Sequence, residues 1–264
     1  MNGYKYKLGF IGAGNMAKAI VGGVLSSGML AASDLIMSNK SGAQAVAGVE
    51  CTTDNAYVCA NCEYLVIAVK PQIFRQIAPS LRPVKAAAVI SIMAGIRSEA
   101  VASALALCGN VIRVMPNTPS KVGMGATAIA ENNCSGEANA FCRKMFDSVG
   151  STVYVPEKDF DAVTCVSGSG PAYVFYFIKA MTEGGEENGL SYDVARKLAV
   201  ATVAGACKLA EKSDDTLDKL ISDVCSKGGT TIQAVDTFRS RGLDRIVKDG
   251  MTACRIRSEE LGRE

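Results

Sequence analysis

The sequence predicts an α/β protein in two parts: an N-terminal Rossmann-type doubly wound sheet and an all-α C-terminal domain. Short apolar runs rich in β-forming residues alternate with helical stretches up to about residue 155, and only helical patterns follow. Such alternation is typical of a mostly parallel sheet with helices on both faces. We therefore predict one domain over residues 1–157 and a second over residues 158–264.

The first domain contains seven predicted strands. Several are continuous apolar runs, as expected when both faces of a parallel sheet are buried. The strands are Lys7–Ile11, Asp34–Met37, Tyr64–Val69, Ala88–Ile92, Asn110–Met115, Ala126–Ala130 and Thr152–Val155. Helices fill the gaps between them, for example Met16–Ser27 and Gly136–Val149.

The second domain contains six predicted helices. They are Asp159–Val166, Pro171–Glu187, Ser191–Lys212, Leu217–Cys225, Thr231–Ser240 and Leu243–Leu261. Pro171 suits a first helical turn, where its missing N–H is not needed. Alanine and glycine recur along the helix over residues 191–212, which allows a second helix to approach closely. We interpret this face as a dimer interface; packing within the chain is the simpler alternative.

Composition narrows the class of protein. The formal net charge is only +2 and no long basic run occurs, so we expect no nucleic-acid or membrane partner. The longest apolar stretch is too short to cross a bilayer and no cleavable signal is evident, so we expect a cytoplasmic protein. We expect most of the ten cysteines to be reduced and buried and, because the chain has no histidine, we expect no metal site.

A glycine-rich turn follows the first predicted strand and opens a helix. Gly12, Gly14 and Ala17 form the pattern GxGxxA. Gly12 suits a tight turn, Gly14 lets the backbone approach a pyrophosphate, and Ala17 lets helix and strand pack closely. The predicted pyrophosphate-binding residues are Gly12, Ala13, Gly14, Asn15 and Met16.

The end of the second strand indicates which dinucleotide is preferred. A site that selects NAD usually has Asp or Glu here to bind the ribose 2′-hydroxyl. This chain has Ser38, Asn39 and Lys40, which could bind a 2′-phosphate. We therefore predict NADPH as the preferred cofactor and NADH as a second one. The alternative is a solvated turn that tolerates both.

Further strand ends are predicted to border the same crevice, because open α/β sheets bind ligands at the carboxyl ends of their strands. A rigid polar turn around Asn117 is suited to presenting an amide near a nicotinamide ring. The other residues at these strand ends are Ala68, Val69, Lys70, Pro71, Ala94 and Gly95. Whether Lys70 orients the cofactor or bridges the domains is left open.

The loop before the fifth helix of the second domain is its most specific segment. Ser226, Gly229, Thr230 and Thr231 lie in the run SKGGTTI. Backbone N–H groups at the start of a helix can bind a carboxylate, and a threonine hydroxyl can contact a neighbouring atom. The alternative is a glycine hinge followed by an N-cap threonine.

These segments together resemble the pyrroline-5-carboxylate reductase family, whose members complete proline synthesis. FIGAGNMAKAI, AVKPQ, MAGI, RVMPNTP, SGSGPAYV and SKGGTTIQAV occur in the family's order and span essentially the whole chain. The sequence departs from the family at Lys227, a position often held by Pro, which makes the loop less rigid without removing its amides.

The resemblance implies a reaction, in which NAD(P)H reduces the C=N carbon of 1-pyrroline-5-carboxylate to yield L-proline. It also implies that the substrate carboxylate is held at Ser226, Gly229 and Thr230, and that Thr231 hydrogen-bonds the ring nitrogen. The helical domain is expected to interlock with that of a second subunit. The stretches around Asn55, Ala68–Pro71, Ala94 and Asn117 are similar to family stretches that line the cofactor crevice.

Three alternative functions share parts of this pattern. A 3-hydroxyacid dehydrogenase of the same architecture would need a lysine where this chain has Val174. A reductase of another imine would use similar site chemistry. A non-catalytic dinucleotide-binding regulator would leave the loop over residues 226–231 without a role. Tyr173 could donate a proton, but packing at the domain junction is the simpler interpretation.

Overall fold

The computed structural model describes residues 3–263, which divide into two compact units. The first unit comprises the described residues up to Ser169 together with those from Cys254 onward, and the second is Gly170–Ala253. The predicted domain boundary between residues 157 and 158 stays a prediction. Residues 158–169 and the end of the chain pack with the first unit.

Three polar contacts explain why these segments belong to the first unit. Glu157 accepts a hydrogen bond from the backbone N–H of Ser98 at 2.7 Å and pairs with the buried Arg113 at 3.4 Å. Asp161 accepts a hydrogen bond of 2.6 Å from the hydroxyl of Ser258, near the end of the chain. A guanidinium as buried as that of Arg113 requires a carboxylate partner. The ion pair with Glu157 therefore holds the segment that begins at residue 157 against the first unit.

Eight strands form one sheet in the first unit. They are β1 (Tyr6–Ile11), β2 (Leu35–Ser38), β3 (Glu50–Thr52), β4 (Cys62–Ile67), β5 (Ala88–Ser91), β6 (Val111–Met115), β7 (Gly125–Ala130) and β8 (Gly150–Val155). Their order is β3-β2-β1-β4-β5-β6-β7-β8. All neighbouring pairs are parallel except the antiparallel pair β6–β7. The predicted fold class is confirmed.

Five helices and two apolar clusters cover the two faces of this sheet. The helices are α1 (Asn15–Ser26), α2 (Asn55–Asn61), α3 (Pro71–Ile77), α4 (Ser98–Leu105) and α5 (Gly136–Asp147). Leu8 and Phe10 of β1 pack in one cluster, whereas Ile11 packs in the other. Because both faces are buried, the strands read as continuous apolar runs.

The sequence missed one strand. Each of the seven predicted strands overlaps an observed one, but β3 has only three residues and pairs only with β2, at the edge of the sheet. Three residues are too few to show a period of two. The predicted strand Tyr64–Val69 ends earlier than expected, at Ile67, because the chain leaves the sheet there.

The remaining helices follow β8. They are α6 (Phe160–Val163), α7 (Gly170–Glu187), α8 (Tyr192–Lys212), α9 (Leu217–Val224), α10 (Thr230–Ser240) and α11 (Leu243–Arg263). The predicted helix Asp159–Val166 is in fact α6 followed by a π-helical turn over Thr164–Gly168. No strand occurs in the described chain beyond Val155, as predicted.

Helices α7 and α8 pack against each other where their side chains are small. A Cβ atom on Gly185 would lie 2.8 Å from the Cβ of Ala195, so the two backbones approach closely there. Ala195 and Ala199 are buried by this packing. Part of the small-residue face of α8 is therefore used within the chain, which was the simpler of the two interpretations.

The cysteines are less buried than predicted. All ten lie within residues 3–263 and are free thiols, of which only four are buried. Burial raises the pKa of the Cys59 and Cys62 thiols to about 12, so both stay protonated at neutral pH. In the described part of the chain, no helix has the length and apolar character that a membrane span requires.

Candidate active site

A cleft of about 520 Å³ opens beside the carboxyl ends of β1, β2 and β4. It lies where β1 and β4 are neighbours, the point at which the strand order changes direction. Ligands of open α/β sheets bind at such switch points. Ten of the predicted cofactor residues line it: Gly12, Ala13, Gly14, Ser38, Asn39, Lys40, Asn55, Ala68, Val69 and Lys70.

The two glycines of the first turn have different physical roles. Gly12 has φ of +103°, and a Cβ atom there would lie 2.7 Å from the carbonyl oxygen of Ala68. Gly14 has an ordinary φ of −74°, and no protein atom lies within 4 Å of a Cβ placed on it. Gly12 is thus required by the fold, whereas Gly14 leaves space on the cleft side.

The electrostatics of the cleft suit an anionic ligand. Helix α1 begins after Gly14 with no side-chain cap and no acidic residue in its first turn. Its first N–H groups are therefore available to an anion, which the helix dipole also favours. Lys40 and Lys70 line the cleft, and no carboxylate of the described residues does. The residues present fit the pyrophosphate of a dinucleotide.

The polar residues after β2 are not equally available to a ligand. Ser38 is buried, and its hydroxyl donates to the carbonyl oxygen of Phe10 at 3.3 Å. The Asn39 side chain donates to the carbonyl oxygen of Ala43 at 2.8 Å and accepts from Ser41. Lys40 is exposed and forms no ion pair or side-chain hydrogen bond with any described residue. Among these residues, Lys40 is the group free to meet a 2′-phosphate.

Six other predicted cofactor residues do not line the cleft. Asn15 and Met16 lie in the first turn of α1, and Pro71 is the first residue of α3. Ala94 is exposed after β5, whereas Gly95 is buried and a Cβ on it would lie 3.4 Å from the backbone nitrogen of Gly262. The assignment of these residues to the cofactor stays a prediction.

Asn117 is the sixth of these residues, and both the nitrogen and the oxygen of its side-chain amide are hydrogen-bonded. It donates to the carbonyl oxygen of Ser167 at 3.0 Å and accepts from the N–H of Ala126 at 2.9 Å. The side chain is buried in the first unit. It therefore holds the turn between β6 and β7 in place, and its cofactor role also stays a prediction.

Four residues that the sequence analysis did not assign to the cofactor line the cleft: Ile11, Thr53, Ile73 and Ile77. Thr53 follows β3, the strand that the sequence missed. Ile73 and Ile77 are four residues apart on α3 and therefore share one face. The proline at the start of α3 and the four-residue spacing of the two isoleucines were the sequence features from which this helix face could have been predicted.

The predicted substrate loop lies in the second unit and is a tight turn. The N–H of Gly229 donates to the carbonyl oxygen of Ser226 at 3.0 Å, and Gly228 between them has φ of +72°. A positive φ at the third position is the mark of a type II turn, which favours proline at the second position. Lys227 occupies that second position, and the turn forms without the proline.

The turn leads directly into the N-terminus of α10. Gly229 is the N-cap residue and has no side-chain cap, and the first turn contains no acidic residue. A Cβ on Gly229 would lie 2.3 Å from the Ser226 hydroxyl oxygen, so a larger residue here would displace that hydroxyl. Thr231 is half-buried, and its hydroxyl has no hydrogen-bond partner among the described residues. This end of α10 can therefore bind an anion and contact it with a hydroxyl.

A Rossmann sheet with a glycine turn, an anion-favouring cleft and a second helical unit defines a nicotinamide-dinucleotide oxidoreductase. Residues 7–95 match the family model "NADP oxidoreductase coenzyme F420-dependent". Residues 157–261 match the model "Pyrroline-5-carboxylate reductase dimerisation". Together with the full-length relatives described next, these matches show that the chain belongs to the pyrroline-5-carboxylate reductase family, as the sequence motifs indicated.

Individual relatives match over nearly the full length. A pyrroline-5-carboxylate reductase from Synechocystis is 37% identical, covering 98% of this chain and 99% of the relative. One from Methanosarcina acetivorans is 35% identical, covering 98% of each. The crystal structure of a Plasmodium falciparum pyrroline carboxylate reductase with NADP bound has a TM-score of 0.90 at 28% identity, covering 98% of this chain and 100% of that one.

Proposed function

We propose that this protein reduces 1-pyrroline-5-carboxylate to L-proline, the last step of proline biosynthesis, with NAD(P)H supplying the hydride to the C=N carbon. The observation that carries the proposal is the match over 98% of the chain to a pyrroline-5-carboxylate reductase at 37% identity. The dinucleotide-compatible cleft and the anion-compatible loop agree with it. The direct test is oxidation of NADPH at 340 nm with and without pyrroline-5-carboxylate.

The chemistry that we propose for the loop uses positioning rather than a strong acid. The first N–H groups of α10, with Ser226 and Gly229, hold the substrate carboxylate. The hydroxyl of Thr231 then hydrogen-bonds the ring nitrogen as it changes from imine to amine. A protonated imine is already electrophilic, so holding it in one orientation supplies much of the rate enhancement. This role fits a chain that contains no histidine.

The change Thr231→Ala should lower kcat/KM for pyrroline-5-carboxylate at least about 10-fold, the low end for losing a hydrogen bond to a group that carries charge. Steady-state kinetics with saturating NADPH measure this effect. The matched control is Thr237→Ala on the same helix, because the Thr237 hydroxyl donates to the carbonyl oxygen of Gln233 at 2.8 Å and is exposed. Wild-type kcat/KM in the Thr231 variant would remove this residue from the mechanism.

The preference for NADPH over NADH is proposed to depend on Lys40. The change Lys40→Glu should raise the KM for NADPH about 10-fold or more, since a charge-assisted contact is lost and a repulsion is added. The KM for NADH should change much less. Lys144→Glu, an exposed position on α5, alters the net charge equally and should leave both values unchanged. Equal effects of Lys40→Glu on the two cofactors would contradict the assignment.

We also propose that the chain forms a homodimer, or a higher homo-oligomer, through the helices of its second unit. Phe175 and Tyr176 on α7 and Leu198 on α8 are 64%, 75% and 55% exposed in the single chain. Large apolar side chains exposed together mark interaction surfaces. The match to a dimerisation family over residues 157–261 supports the same surface. The cytoplasmic location and the absence of nucleic-acid partners remain predictions.

A further inference from the structure

A second groove, of about 510 Å³, lies in the first unit and shares no lining residue with the dinucleotide cleft. It runs between α3 and α4, and Gly262 near the end of α11 also lines it. Helix α3 lies between the two cavities: Ile73 and Ile77 line the cleft, whereas Phe74 and, directly after the helix, Ala78 line the groove. The proposed reaction uses no residue of this groove.

The groove combines an apolar floor with a cationic rim. Phe74, Ala78 and Ile96 contribute buried apolar side chains to its lining. Three arginines line it with a single carboxylate, that of Glu99. The arginines are Arg75, Arg82 and Arg97. A cavity of a few hundred cubic ångströms with this composition is typical of small-molecule sites.

Among the residues that the structure describes, these three arginines differ from the other arginines of the first unit in having no acidic partner. The other arginines whose side chains the structure describes in this unit all form ion pairs with Asp or Glu; they are Arg113, Arg143, Arg255 and Arg257. Within residues 3–263, neither Arg75 nor Arg97 forms an ion pair, and Arg82 donates only to the carbonyl oxygen of Ala104, at 3.1 Å. Unpaired cations around one apolar groove favour an anionic ligand.

We propose that this groove binds a small organic phosphate with an apolar body. Guanidinium groups bind phosphate through paired N–H donors, and a phosphate dianion can satisfy more than one arginine. The apolar floor would hold the body of the ligand out of water. The inference is independent of the reductase activity.

The test is direct binding of phenyl phosphate to the full chain, measured by calorimetry with saturating NADP⁺ to occupy the dinucleotide cleft. Phenyl phosphate should bind at least about 10-fold more tightly than phenol or inorganic phosphate, because only it offers both charge and apolar area. The variant R75Q/R97Q should weaken its binding at least about 10-fold. The control R143Q/K144Q removes two exposed positive charges on α5 and should bind like the wild type.

Several outcomes would overturn the proposal. One is equal affinity of R75Q/R97Q and R143Q/K144Q, with unchanged Tm in both; another is phenyl phosphate binding no better than inorganic phosphate. Binding seen only after removal of residues 263 and 264 would make the end of this chain the occupant instead. An affinity for phenyl phosphate that falls as the protein concentration rises would indicate that a second copy of the chain covers the groove. Activity is not a readout, so failure here leaves the proposed reductase function untouched.

Discussion

Replacing Gly14 with valine should raise the Kd for NADPH about 5- to 150-fold, the range expected from 1–3 kcal/mol of overpacking. The reason is that the new side chain would enter the space in which the pyrophosphate is expected. No protein atom lies within 4 Å of a Cβ at this position, and φ of −74° is ordinary for valine. Folding should therefore be unaffected, and Tm without cofactor should equal that of the wild type.

Fluorescence titration with NADPH and a thermal melt of the free protein check this pair of results. Gly136→Val is the matched control, because Gly136 is also at the start of a helix and also has no atom within 4 Å of its Cβ position. It should change neither Kd nor Tm. Unchanged NADPH affinity in the Gly14 variant would mean that the dinucleotide does not approach this turn.

Replacing Gly12 with alanine should, unlike the Gly14 change, lower the stability of the protein without cofactor. The positive φ of +103° is unfavourable for alanine, and its Cβ would lie 2.7 Å from the Ala68 carbonyl oxygen. Backbone strain and overpacking contribute about 1–3 kcal/mol each. We expect unfolding to become easier by about 3 kcal/mol, which lowers Tm by roughly 6–12 °C in a chain of this size.

The chain offers a close control for Gly12. Gly109 has φ of +101°, but no atom lies within 4 Å of its Cβ position. Gly109→Ala thus adds the same backbone strain without the contact, and it should lose only about 1–2 kcal/mol. Calorimetry of the two variants measures the difference between them. If Gly12→Ala were no less stable than Gly109→Ala, the contact with the Ala68 carbonyl oxygen would not explain the glycine at position 12.

The glycine turn and the loop over residues 226–231 could be predicted from the sequence because the residue patterns that indicate them are local. A glycine between a strand and a helix indicates a tight turn whatever surrounds it, and Gly12 and Gly14 both line the cleft. The paired threonines after two glycines indicated a helix start, and α10 begins at Thr230. The short strand β3 and the cleft residue Thr53 carried no comparable signal.

Whether a polar side chain is free to bind a ligand could not be predicted from the sequence. Ser38 and Asn39 were predicted as ligands beside Lys40, yet their side chains bond to Phe10, Ala43 and Ser41. The amide of Asn117 is likewise engaged with the protein itself. A residue type indicates what a side chain can bind, but only its neighbours in the fold decide whether those donors and acceptors are already used.

The sequence by itself determined the fold class, the glycine turn after β1 and the family, because periodicity, glycine placement and motif order are properties of the chain alone. Tertiary structure decided which predicted residues share a cavity, and it brought Arg75 and Arg97 to a groove that no motif marks. The physical reason is that strand order and helix packing set distances between residues far apart in the chain. Those distances determine which charges find partners and which remain free for a ligand.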